Sequence, residues 1–133
     1  MRVEEGPVMK LSEAIRLGST LRPQGFGSFF TLTGGSCAVG AAAEALGVKV
    51  DHLTANLDVL YQELARRRVG CPQCDGTVKF PLLPMIGHIN DVHCWTRERI
   101  ADWVESVESM EMQNSEIERK TSNEDTILEL STV

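Results

Sequence analysis

The chain has 133 residues, 42% hydrophobic and 24% charged, which suits one modest domain rather than two. Its net charge of −6 is unevenly placed: residues 1–104 carry 11 acidic and 11 basic side chains, whereas residues 105–133 carry 8 and 2. A neutral body with no basic stripe beyond Arg66-Arg67-Arg68 argues against a dedicated polyanion binder, and no run approaches the ~20 apolar residues that would span a bilayer.

In chain order, residues 1–8 lack an apolar pattern and read as a flexible extension, with Met9 a candidate start. Leu11, Ala14, Ile15 and Leu17 predict a short helix over 11–17, ended by Gly18. Pro23 to Gly27 reads as loop and Phe29 to Leu32 as a short extended piece. Ser36 is the expected N-cap of a second helix to Leu46, stopped by Gly47, whose run of Ala and Gly permits close packing and marks it as the buried central helix. Asp51 is the expected cap of a third, with Leu53, Leu57, Leu60, Tyr61 and Leu64 on one face. Arg66, Arg67 and Arg68 then fall in its last turn, where cations suit the helix dipole, and Gly70 closes it.

Val78-Lys-Phe80 reads as one arm of a small hairpin, and a last helix from Thr96 carries Ile100, Trp103, Val104, Val107 and Met110 on one face. Beyond residue 111 the apolar period fades, so 112–133 is expected to be an acidic, disordered tail in which Ile127, Leu128 and Leu130 form a short apolar run. These elements predict a mainly α fold: one helical domain over 9–111, with a zinc-knuckle or finger-like ββα or βα segment at 71–95 packed on it. Without a signal core at its N-terminus, the chain is expected to be cytoplasmic, where four Cys read as metal ligands and free thiols.

The motif richest in chemistry is Cys71-Pro-Gln-Cys74 followed by His88-Ile-Asn-Asp-Val-His93, a C-x2-C-x13-H-x4-H spacing. Two thiolates and two neutral imidazoles can close a tetrahedron around one structural Zn²⁺ and leave no position for water. Pro72 and Gly76 suit the knuckle turn, in which backbone N–H groups point at the sulfurs. On a regular helix His88 and His93 would diverge by about 140°, so the helix must loosen near Asn90-Asp91. Ordinary thiols with solvated imidazoles, or a redox C-x-x-C, are the competing readings, and Cys94 is an alternative ligand to His93.

Residues 71–93 resemble a two-Cys, two-His finger with one extra loop residue, Val78 and Met85 taking the places of its core hydrophobes. Pro81 to Gly87, where such a finger reads DNA, offers no side chain for bidentate base contacts. More widely, Lys10 to Gly18, Cys37-Ala-Val-Gly-Ala41, the Cys71/Cys74 pair, His88-Ile-Asn-Asp91 and Trp95 to Trp103 resemble a group of uncharacterised bacterial and phage-type small proteins, which implies one integrated domain and supplies no function.

Three functions compete. The first is a zinc-stabilised binding or adaptor protein with a protein partner or self-association. The second is a nucleic-acid-binding regulator using Arg66 to Arg68 and the finger. The third is a thiol enzyme in which the dipole of the second helix activates Cys37, with His52 nearby. Gly34-Gly35 lacks the Lys of a phosphate loop, and His52-Leu-Thr54 lacks the Glu of a zinc deaminase.

Overall fold

The computed structural model describes residues 9–75 and 77–110. The expectations for residues 1–8, for Gly76 and for the tail from residue 111 therefore lie outside the described residues.

Helix α1 spans Leu11–Ser19 and buries Leu11, Ala14, Ile15 and Gly18. It runs past Gly18 because that glycine faces α2, where a Cβ would penetrate the backbone carbonyl of Ala41. Gly18 is thus a packing residue and not the stop read from the sequence. Gly18→Ala should lower the free energy of unfolding by about 1–3 kcal/mol, the usual cost of forcing a methyl into a filled contact; a denaturant titration measures it, and an unchanged midpoint would rule out this close approach.

Helix α2, Ala38–Leu46, is the buried central helix expected from its composition, with Ala38 to Ala43 all inside. Its N-cap is Cys37, one residue later than expected: the Cys37 sulfur accepts from the Gly40 N–H at 3.4 Å, while Ser36 turns its hydroxyl to Arg97. Gly47 ends the helix at φ 70°, a left-handed conformation that favours glycine.

Helix α3, Leu53–Arg66, begins after His52 rather than at an Asp51 cap, and is kinked at Gln62. Leu53, Leu57, Tyr61 and Ala65 are buried, with Leu60 and Leu64 packed at the edge of the core. The Tyr61 hydroxyl donates to the Met9 carbonyl at 2.9 Å. Burial, reinforced by the negative charges of Glu108 and Glu13, pushes this phenol up to about 12.

Because the folded pKa exceeds the unfolded value of about 10, the Tyr61 contribution is whole below pH 10 and is lost as pH rises towards 12. Tyr61 is the only tyrosine, so alkaline absorbance titration of the native protein should give a single midpoint near 12. A midpoint near 10 would show the ring to be solvated.

Only Arg66 of the three arginines stays helical. Arg67 is an extended C-cap, and Arg68 opens β1 (Arg68–Gly70), which pairs antiparallel with β2 (Lys79–Pro81) through Arg68↔Pro81, Val69↔Phe80 and Gly70↔Lys79. The expected three-arginine last turn and the Gly70 stop are therefore replaced by a strand.

Helix α4, Leu82–Asp91, follows β2 directly; Pro84 sits in its first turn, where no intrahelical N–H bond is forgone. It buries Leu82, Leu83, Met85, Ile86 and Ile89. Val78, by contrast, is 60% exposed and is no core residue, unlike its finger counterpart.

The fifth helix, α5, covers 97–110. Thr96 caps it by accepting the Arg99 N–H at 3.1 Å. Ile100, Ala101, Val104 and Val107 face the core with Trp103 packed at its edge, and Met110 is half-exposed.

Two buried polar residues of α5 bind it to the rest. Glu108 takes the Ser12 hydroxyl at 2.6 Å and the Ser12 N–H at 3.2 Å, placing a carboxylate at the positive end of α1. The Arg97 guanidinium donates to the carbonyls of Ser19, Arg22 and Ser36, and burial lowers its pKa. Among the described residues the fold is mainly helical with one two-stranded antiparallel sheet, and no helix is long and apolar enough to cross a membrane.

Candidate metal centre

Three consecutive pieces of chain build one cluster. Cys71 leaves β1, and the next turn brings the Gln73 and Cys74 N–H groups onto the Cys71 sulfur, both at 3.4 Å. This is the knuckle geometry expected from the spacing. His88 projects from the last turn of α4, which ends at Asp91 as anticipated; the chain then reverses through Val92 to Cys94, the latter at φ 55°. That reversal removes the helical divergence and returns His93 to its partner.

The result is convergence of four donor atoms. The Cys74 sulfur lies 3.7 Å from His88 Nε2 and 3.4 Å from His93 Nε2, and the two Nε2 atoms are 3.1 Å apart. With Zn–S near 2.3 Å and Zn–N near 2.05 Å, a regular tetrahedron has edges of about 3.6 Å from S to N and about 3.3 Å from N to N. The three observed separations match those edges to within about 0.2 Å, and no pair in the four-residue set exceeds 4.8 Å. Cys71, Cys74, His88 and His93 thus lie close enough to hold a metal ion, and their donor set is compatible with zinc.

A cation would offset the negative charge gathered here. Cys71 and Cys74 are free thiols, and the Cys74 pKa is raised, first by its hydrogen bond with Cys71 and then by desolvation and the neighbouring negative charges. Two adjacent thiolates repel, and a divalent ion between them relieves that repulsion. Asp75 beside them is held below the ordinary carboxylate range by the Thr77 N–H and hydroxyl, which bond the Asp75 carboxylate at 3.0 and 2.9 Å.

The surroundings fix the ligands in place. Trp95 donates its indole N–H to the Gln73 side chain at 2.6 Å, tying the knuckle to the segment that follows His93, and the Arg99 guanidinium stacks 3.7 Å over the indole. Gln24 donates to the Trp95 carbonyl at 2.7 Å and to Asn90 Oδ1 at 3.0 Å. Sequence reasoning did not anticipate Gln73, Gln24 or Asn90 as supports. The polar residue between the two Cys was the one available signal.

The other candidate residues stand apart. Cys94 lies outside the four-atom cluster, its thiol 3.9 Å from the Asp91 carbonyl, so His93 is the residue that joins the set. Cys37 is buried, and burial pushes its thiol pKa up, outweighing the lowering by the Gly40 and Val39 N–H groups. The dipole activation expected at this helix start is therefore reversed by desolvation. Arg66 and Arg68 are exposed, with Arg68 bonded to the Lys79 carbonyl at 2.8 Å.

No family model, curated protein or solved structure matches the chain. The resemblances drawn from its motifs therefore rest on those residues alone.

Proposed function

We propose that the chain is a zinc-stapled cytoplasmic binding or adaptor module with no catalytic activity of its own, in which one Zn²⁺ held by Cys71, Cys74, His88 and His93 locks a finger-like β1–β2–α4 element onto the helical body. The observation that carries this reading is the convergence of the two Nε2 atoms and the Cys74 sulfur at tetrahedral-edge distances. Four protein ligands fill a zinc coordination sphere, which is the pattern of structural rather than hydrolytic sites.

The partner is proposed to be a protein or a second copy of the chain. A recognition helix for DNA needs its polar face free, whereas α4 turns Leu82, Leu83, Met85 and Ile86 into the core and offers no base-reading side chain over its first turns. Elemental analysis of protein purified without added metal, with a free-thiol count on the same sample, tests the proposal. One zinc per chain with Cys71 and Cys74 protected is the expected result; metal-free protein with both thiols reactive would overturn it.

A further inference from the structure

On the side of α4 where Gly87 opens, a cavity of about 370 Å³ lies between that helix, the loop at Phe29 and the start of α2. Its volume falls in the range of small-molecule sites. Phe29, Val39, Leu83 and Pro84 give it apolar walls, and Asp91 stands at its edge.

Two features of the cavity leave room and charge for a ligand. Gly87 lies inside α4, where glycine weakens a helix, yet a Cβ there would meet nothing within 4 Å. Gly18 and Gly40 differ, since a Cβ on either would collide with a neighbouring backbone carbonyl. The missing side chain at Gly87 leaves room that the fold itself does not use. Asp91, exposed at the cavity edge, spends only one oxygen on the fold: Oδ1 accepts from the Gly27 N–H at 2.9 Å and from Asn90 Nδ2 at 2.8 Å, and Oδ2 accepts no hydrogen bond among the described residues.

The helix start and the carboxylate nearby favour a cation over an anion. At the start of α2 the Ala38 N–H is taken by Asn90 Oδ1 and the Gly40 N–H by the Cys37 sulfur, so those amides are not available to an anion. Among the described residues that line the cavity, the charged one is Asp91.

We propose that this cavity binds a small cation bearing an apolar group, an aryl- or alkylamine, with the apolar part against Phe29, Val39 and Leu83 and the ammonium on Asp91 Oδ2. The proposal does not rest on the metal reading, though Gly87 adjoins His88 and Asp91 lies between His88 and His93.

Phenethylamine and phenylacetate, which share a ring and differ in charge, separate the possibilities when titrated into the full chain while the amide resonances of Ser28, Thr54 and Gly87 are followed. Phenethylamine should bind saturably with Kd of about 1 mM, the level expected for a ligand of its size, and phenylacetate at least about tenfold more weakly. Gly87→Leu, which fills the cavity, should abolish binding, and Asp91→Asn should weaken it about tenfold. If Gly87→Leu does not fold, Gly87→Ala serves: it should raise the melting temperature and still lower the affinity.

Absence of saturation at about 20 mM phenethylamine, equal binding of phenylacetate, or parental affinity in a folded Gly87 variant would each overturn the proposal. Metal content read on the same samples keeps the two readings apart. Zinc without amine binding removes this one, and amine binding without zinc removes the other.

Discussion

Cys74→Ala and His88→Ala are each expected to reduce bound zinc from one per chain to a small fraction and to lower stability by about 4 kcal/mol when free zinc stands a thousandfold above Kd. An ion at this site would bind only the folded arrangement, because the unfolded chain holds no preassembled site, so its binding free energy would be folding free energy. His88 and the core side chains Leu82, Ile86 and Ile89 share α4, so loss of such an ion would loosen a helix that the body needs and not only the hairpin.

Cys94→Ala is the matched control. Its thiol is exposed and outside the cluster, so metal content and stability should stay at the parental level. Chelation of the parent should reproduce the ligand variants, and acidification should release the metal as the ligands take up protons. Elemental analysis paired with thermal melts reads all of these. A Cys74→Ala protein that keeps a full zinc and its melting temperature would defeat the assignment.

What the sequence makes legible is largely local. The alanine run and Gly47 define α2 because small side chains and a left-handed stop act within one helix, and Thr96 marks the start of α5 because a cap acts across three residues. The Cys/His cluster is legible for a similar reason, since the spacing of its four residues is written in the chain even when the turn that closes it is not.

The misplaced boundaries are the ones settled by distant contacts. Arg68 leaves the helix because Pro81, far along the chain, supplies a strand partner, and Gly18 stays helical because α2 approaches it. Cys37 inverts the expected pKa shift because desolvation, which depends on the whole fold, outweighs the local N–H groups. Arg97 and Glu108 look like surface charges on an amphipathic helix, and only the packing of α5 against α1 and the loop shows why they are buried.

Asn90→Leu is expected to cost about 3–5 kcal/mol although it nearly conserves volume, because the fully buried Asn90 amide is satisfied on every side and its partners are not replaceable. Oδ1 accepts from the Ala38 N–H at 3.2 Å and from Gln24 at 3.0 Å, while Nδ2 donates to the Gly25 carbonyl at 3.0 Å and to Asp91 at 2.8 Å. A leucine would strand one backbone donor and one backbone acceptor in a dry site, at about 1–3 kcal/mol each, and would free Gln24 from the segment that follows His93. That loss is a large part of the 5–15 kcal/mol by which a domain of this size is usually stable.

Asn90→Asp separates hydrogen bonding from packing. It keeps the shape, removes both donated bonds and sets a second carboxylate beside Asp91, so at neutral pH it should destabilise at least as much as leucine. Denaturant unfolding measures both variants, and either one lying within about 1 kcal/mol of the parent would deny Asn90 this role. Because Asn90 and Gln24 together hold the turn from His88 to Trp95, the same variants should bind zinc more weakly at limiting metal while all four ligands remain present. Support at one residue's remove from the ligands would thereby register as affinity, apart from its effect on folding.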